Sequence, residues 1–303
     1  MQAVVYGLTY PFLWLVSRLP FPLFYAVSDG VYFLVYRIFK YRKKVVKKNL
    51  RIVFPDKSSE EINQITSSFY KHMCDMFLEM IKSISISDKE LKKRFTFANL
   101  EEMQKLGAQN KGTILLCAHY ASFEWMNALE FYDYGHDHGV GIYKKVANTY
   151  FDRLIRKKRS KYNTDLIPNR QASTYLAHKK KENIKVICAI VTDQTPKPKS
   201  AIYWRSFLNQ VVPVFTGAER LAQKLDMNVA YLHVEKLKRG HYQATFKVIT
   251  SQAPQEDQFA ITDRYFELLE DQIYTRPELY LWTHKRFKHV DAKPREDAVV
   301  RSL

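Results

Sequence analysis

His119 and Glu124 are the residues of this sequence whose types and spacing can do chemistry. An apolar run from Leu115 ends on the histidine, and the glutamate follows five positions later. On one ideal helix, residues i and i+5 point about 140° apart, so a single helix cannot bring the pair together. They meet if His119 lies in a turn and Glu124 on the first turn of a helix that begins at Ser122 as N-cap. A carboxylate on an imidazole fixes its tautomer and raises its basicity, which makes a better general base. The same two residues also fit a hydrogen-bonded structural histidine at a strand end, and their spacing does not separate the two readings. A serine nucleophile has no support, because no G-x-S-x-G elbow is present.

The elements that must position this pair alternate along the chain. Strands are predicted at Thr113–Ala118, Val140–Tyr143, Asp165–Ile167, Lys185–Thr192, Asn228–Val234 and His241–Ile249. Helices are predicted at Leu100–Leu106, Ser122–Tyr132, Asn148–Tyr162, Ala172–Lys181, Thr216–Leu225 and Asp257–Tyr274. This alternation predicts an α/β fold, a mainly parallel central sheet flanked by helices. Ahead of it, residues 58–82 predict a helix capped by Ser58 or Ser59, with Phe69, Met73, Met76, Phe77 and Met80 as a core stripe. Ser87–Arg94 reads as a short polar helix or turn and Phe95–Phe97 as a brief strand. Cys74, Cys117 and Cys188 are far apart in apolar surroundings. They fit reduced core thiols in a cytosol-facing protein, and neither a disulfide framework nor a metal site.

The formal net charge of +17 calls for an anionic partner. No zinc-finger spacing, RNP motif or other nucleic-acid module is present, so nucleic acid is not the expected partner. With 9 glycines and no G-x-G-x-x-G or P-loop, a glycine-rich phosphate cradle is not expected either. Residues 3–36 carry only Arg18 and Asp29 as charges and divide at Leu19-Pro20-Phe21-Pro22. Neither apolar run reaches the roughly 20 residues of a straight crossing, and no cleavage site follows the first. One transmembrane helix with a kinked partner, a re-entrant hairpin, an interfacial anchor and a buried helical hairpin all fit. Arg37, Lys40, Arg42, Lys43, Lys44, Lys47, Lys48 and Arg51 follow with no acidic residue among them. That cluster favours membrane attachment, with an anionic cytoplasmic leaflet facing it. Residues 1–39 are therefore expected as a hydrophobic membrane anchor, 40–288 as the catalytic domain and 289–303 as a polar tail without structure.

His119-x4-Glu124 after an apolar strand matches the H-x4-D/E motif of glycerolipid acyltransferases. More particularly, the chain resembles the late acyltransferases of lipid A biosynthesis, the lauroyl/myristoyl transferase family. Arg42-Lys43-Lys44-Val45-Val46-Lys47-Lys48-Asn49-Leu50 with Phe54-Pro55 looks like the family's basic segment. Tyr143-Lys144 and Asn148 sit where the family carries Tyr-Arg and Asn, Arg159 falls on its downstream arginine, and Asp193-Gln194 matches its Asp-Gln after a strand. Residues Pro277–Lys288 are close to its C-terminal Pro-Glu-Gln-Tyr-Leu-Trp-x-His-Arg-Arg-Phe-Lys. In that segment Tyr280 and Trp282 are expected in the core, and His284 and Arg286 on the surface. The family's Phe-Phe-Gly appears here as Ser206-Phe207-Leu208, and Lys144 replaces an arginine, a point charge for a planar fork.

The resemblance implies acyl transfer from a thioester, usually acyl carrier protein, to a hydroxyl of a phosphorylated glycolipid acceptor at the inner (cytoplasmic) membrane. His119 would be the general base and Glu124 its orienting carboxylate. Tyr143, Lys144, Asn148, Arg159, Asp193 and Gln194 would bind substrate. No metal or redox cofactor is implied. The basic surface suits both an acidic carrier protein and anionic inner-membrane lipids. Other lipid acceptors, such as a lysophospholipid or aminolipid, and a non-catalytic membrane-surface protein of the same fold are the competing readings.

Overall fold

The computed structural model describes residues 2–143, 145–159 and 164–301. Two apolar helices come first, α1 (Gln2–Arg18) and α2 (Phe21–Tyr32), broken at Pro20, and α2 runs on into a π-helical turn, Phe33–Ile38. Among the described residues no helix is long and apolar enough to cross a membrane. α3 (Lys43–Val53) buries Val46, Asn49, Leu50 and Val53 and leaves Lys44, Lys48 and Arg51 in solvent. α4 (Ser59–Lys82) opens on a complete capping box, Ser58 with Glu61. Its stripe buries Phe69, Met73 and Met76, but Phe77 is 45% exposed. α5 (Asp88–Arg94) is capped by the Ser87 hydroxyl.

A seven-stranded sheet follows. Its strands are β1 (Phe95–Phe97), β2 (Thr113–Cys117), β3 (His138–Tyr143), β4 (Thr164–Pro168), β5 (Val186–Val191) and, later in the chain, β8 (Asn228–Lys238) and β9 (His241–Thr250). The spatial order is β1-β9-β8-β2-β5-β3-β4, parallel throughout except for the β8–β9 hairpin. β2 sits between β8 and β5 with every residue buried, which is why it reads as an unbroken apolar run. Helices α6 (Leu100–Ala108), α7 (Thr149–Arg159), α8 (Ala172–Lys181), α9 (Gly217–Leu225) and α10 (Ala260–Thr275) connect and flank the strands. The segment after β2 departs from expectation in kind: Phe123–Phe131 is a 3₁₀ helix, and the Ser122 side chain makes no cap hydrogen bond.

A second sheet escapes the sequence reading. β6 (Tyr203–Phe207) and β7 (Gln210–Pro213) form a hairpin, joined by Leu208 and Asn209, both left-handed with φ of 53° and 63°. Leucine there costs about 1 kcal/mol of backbone strain, and full burial of its side chain offsets that by about 2 kcal/mol. The tail also differs from the expected unstructured segment. Val299–Arg301 forms β10, parallel to β6, and Arg301 Nη1 reaches Asp263 Oδ2 at 2.7 Å. Two β-branched residues meet an open strand edge there, and the ion pair fixes the end.

Candidate active site

His119 stands just past the carboxyl end of β2, the end of a parallel sheet at which ligand sites form. The turn that follows is held by the segment Pro277–Leu281. Ala121 N donates to Leu279 O at 3.0 Å, Leu281 N donates to His119 O at 3.1 Å, and Tyr120 bridges Tyr280. The Tyr120 hydroxyl lies 3.0 Å from both the Gln272 and Arg276 carbonyls. Ala121 is left-handed, with φ of 49°. This clamp fixes the backbone of His119 before any side chain is considered.

The imidazole donates its orienting hydrogen bond to Asp193. His119 Nδ1 lies 2.7 Å from Asp193 Oδ1, so the proton sits on Nδ1 and Nε2 keeps its lone pair. Asp193 is 3% exposed and follows β5 as His119 follows β2. Burial works against the charge on both groups. The Asp193 charge and hydrogen bond, helped by the charge of Glu124, nevertheless hold His119 above its ordinary value. The His119 and Arg286 charges likewise hold Asp193 below the usual carboxylate range, although burial pushes it up. Glu124, expected from the sequence as the orienting carboxylate, stands on the 3₁₀ helix and lines the same cavity, acting on the ring through its charge. Gln194 Nε2 is 3.5 Å from His119 Nε2.

From His119 a cavity of about 570 Å³ runs down between the 3₁₀ helix and strands β3 and β5. Leu115, Met126, Leu129, Ile142, Leu166 and Val191 make its walls apolar. At its deep end Glu130 accepts hydrogen bonds from Thr164 Oγ1 at 2.8 Å and from the Tyr134 hydroxyl at 3.0 Å. Burial pushes the Glu130 carboxyl up. No cysteine serves as a nucleophile here. Burial pushes the Cys117 thiol up strongly and those of Cys74 and Cys188 up to about 12, which leaves no thiolate.

The structure thus brings His119, Glu124, Tyr143 and Gln194 to one cavity, with Asp193 directly behind the histidine. Asn148 is not among the residues lining that cavity. Its Oδ1 accepts from Tyr150 N and Phe151 N, starting α7, and its Nδ2 donates to Gln2 O, tying α7 to α1. Lys144 and the side chain of Arg159 lie outside the described residues.

Arg286 is where sequence reasoning placed a residue on the wrong side. Expected on the surface, it is 1% exposed, with its guanidinium 4.8 Å from the Phe207 ring centre and its charge acting on Asp193. Tyr280 and Trp282 are core as expected. Asn49 of α3 supports this segment from below, donating to the Trp282 and His284 carbonyls at 2.9 Å each.

The sequence was compared with known proteins. Residues 2–289 match the family model described as bacterial lipid A biosynthesis acyltransferase. Similar proteins include the lipid A biosynthesis lauroyltransferase of Escherichia coli (strain K12), 24% identical over 277 residues, covering 91% of this chain and 89% of that one. The lipid A biosynthesis palmitoleoyltransferase of the same organism is 22% identical over 286 residues, covering 91% of this chain and 88% of that one. A lipid A biosynthesis acyltransferase of Shigella flexneri matches to the same extent. With a family match over nearly its whole length, and with an oriented histidine at the mouth of an apolar cavity, the chain belongs to the bacterial lipid A biosynthesis acyltransferases and is an O-acyltransferase.

Proposed function

We propose that this protein transfers a fatty acyl group from an acyl thioester, carried on acyl carrier protein, to a hydroxyl of a phosphorylated lipid A precursor at the cytoplasmic face of the inner membrane. The observation that carries the reading is the His119–Asp193 pair at the head of the apolar cavity. With the acyl chain in the cavity, the thioester carbonyl lies beside His119 Nε2. That nitrogen takes the proton of the acceptor hydroxyl as the oxygen attacks the carbonyl carbon. Asp193 stabilises the imidazolium formed. The tetrahedral intermediate collapses by breaking the C–S bond, and the imidazolium proton goes to the departing thiolate. Gln194 Nε2, 3.5 Å from His119 Nε2, donates to the oxyanion while it exists.

Two surface features support a membrane site. Leu8, Phe12 and Leu15 of α1, and Phe33, Ile38 and Phe39 beyond α2, are large apolar residues exposed to solvent. Exposed Lys40, Arg42, Lys44 and Lys48 adjoin them. Apolar side chains beside unbalanced cations fit insertion into an anionic interface. The net charge of +17 also favours an acidic carrier protein as donor.

The test is transfer by purified protein in vesicles containing anionic phospholipid, with lauroyl-acyl carrier protein or lauroyl-coenzyme A as donor and an under-acylated lipid A precursor as acceptor. Mass spectrometry of the product is the readout. His119→Ala is expected to lower turnover by about 10²-fold or more while keeping the fold and vesicle binding. Near-normal turnover in that variant sinks the general-base reading.

A further inference from the structure

Asp193 is buried, yet its charge is what orients and supports His119. A carboxylate that deep is costly unless cationic groups oppose the cost. His119 is neutral in the resting general base, so it supplies no full charge. Among the described residues, the cation that acts on Asp193 besides protonated His119 is Arg286, and its surroundings are unusual. Nη1 donates to Thr195 Oγ1 at 2.6 Å, and the Thr195 hydroxyl in turn donates to Arg286 O at 2.9 Å. The guanidinium stacks over Phe207 and Phe266. Among the described residues its buried Nε and Nη2 have no hydrogen-bond partner, and no carboxylate lies within ion-pair distance of it. An arginine kept dry for packing alone would be inferior to an apolar residue of its size. Thr195 joins it to the stretch that carries Asp193, and Leu281, from its own segment, bonds the His119 carbonyl.

We propose that Arg286 is a positioning residue of the catalytic pair, acting through Asp193 and not on substrate: its charge, joined through Thr195 to the stretch that carries Asp193, keeps the carboxylate ionised as the acceptor for His119 Nδ1. The Pro277–Lys288 segment then serves the site twice, holding the backbone around His119 with Leu279 and Leu281 and acting on its carboxylate partner through the charge of Arg286. The inference rests on His119 as general base.

The experiment is the pH profile of kcat/KM for Arg286→Met and Arg286→Lys beside the parent enzyme and His119→Ala. Removing a buried positive charge makes the His119–Asp193 pair easier to protonate. Arg286→Met is therefore expected to lose about tenfold or more in kcat and to move the acid limb up by about one pH unit, with KM for both substrates nearly unchanged. Arg286→Lys restores the position of the limb. A limb in Arg286→Met that coincides with the parent's overturns the proposal, whatever happens to kcat. Should that variant fail to fold by circular dichroism, Thr195→Val loosens the same guanidinium. A fall in kcat with an upward limb then supports the proposal, and parent-like values of both overturn it. If His119→Ala keeps turnover, the general-base reading fails and takes this proposal with it. If His119→Ala is dead and the limb of Arg286→Met is unmoved, this proposal alone falls.

Discussion

His119 and Asp193 lie 2.7 Å apart at Nδ1 and Oδ1 although 74 residues separate them in the chain. The parallel pairing of β2 with β5 explains the coincidence. Cys117 registers with Val191, and each strand continues to a residue at the same height above the sheet. Asp193→Asn keeps a side chain of the same shape but removes the charge and the strict acceptor, leaving the ring tautomer unfixed. It is expected to lower kcat by about 10²- to 10⁴-fold, the range set by loss of such a carboxylate in other histidine-based sites. Glu124→Gln leaves the Nδ1 bond in place and is expected to cost about tenfold, because it removes a charge that supports the imidazolium. Steady-state kinetics on the two variants check the order, and a larger loss in Glu124→Gln would return the orienting role to Glu124.

The same pair sets the response to pH. Burial alone would lower His119, but the Asp193 charge and hydrogen bond outweigh it and leave the group above 6.5. A general base must be neutral, so the acid limb of kcat/KM is expected with its midpoint above 6.5, as a property of the coupled pair. In Asp193→Asn the limb falls to lower pH, because burial then acts unopposed by that carboxylate. Stability follows with two signs. The raised histidine contributes fully below its unfolded value of about 6.5 and loses that contribution as pH rises through its folded value. The lowered aspartate contributes above its unfolded value of about 3.9 and loses it as pH falls through its folded value. Activity and thermal melting measured against pH test both, and a parent limb at or below 6.5 contradicts the electrostatics.

Much of this fold is legible in the sequence because its signals are local. β2 and α4 declare themselves through an apolar run and a capped periodic stripe. The site is less legible because its decisive relations are distant. The sequence places Asp193 at a strand end, but only the strand order makes it the neighbour of His119. H-x4-E is a local pattern, so it directs attention to Glu124 first. Arg286 reads as surface because an arginine without a visible partner is normally exposed, and its companions Thr195, Phe207 and Phe266 come from three separate parts of the chain. The β6–β7 hairpin hides behind a Leu208-Asn209 turn that lacks the glycine expected at such dihedrals.

Cavity depth gives the last prediction. β3 presents two glycines to the cavity, and they differ in what a side chain would meet. A Cβ at Gly139 would collide with Glu130 Oε1 and stand 2.6 Å from Thr164 Oγ1, both on the polar floor. At Gly141 the close atom among the described residues is Leu166 Cδ2 at 2.9 Å, the end of a side chain that can turn aside. Gly141 registers with Ala189, which registers with Leu115, four residues short of His119. At about 3.3 Å per residue, that level lies about 13 Å below the histidine, and the level of Gly139 about 20 Å below. At about 1.3 Å per carbon, the projection of a ~1.5 Å bond, these depths hold about 10 and about 15 carbons. Gly141→Val, a good strand residue, is therefore expected to fold and to shorten the usable cavity to the upper level. Octanoyl and decanoyl donors should keep most of their kcat/KM, while myristoyl and palmitoyl donors lose about tenfold or more. A donor series from octanoyl to palmitoyl on both proteins is the measurement. An unchanged ranking would mean that the acyl chain does not run past Gly141.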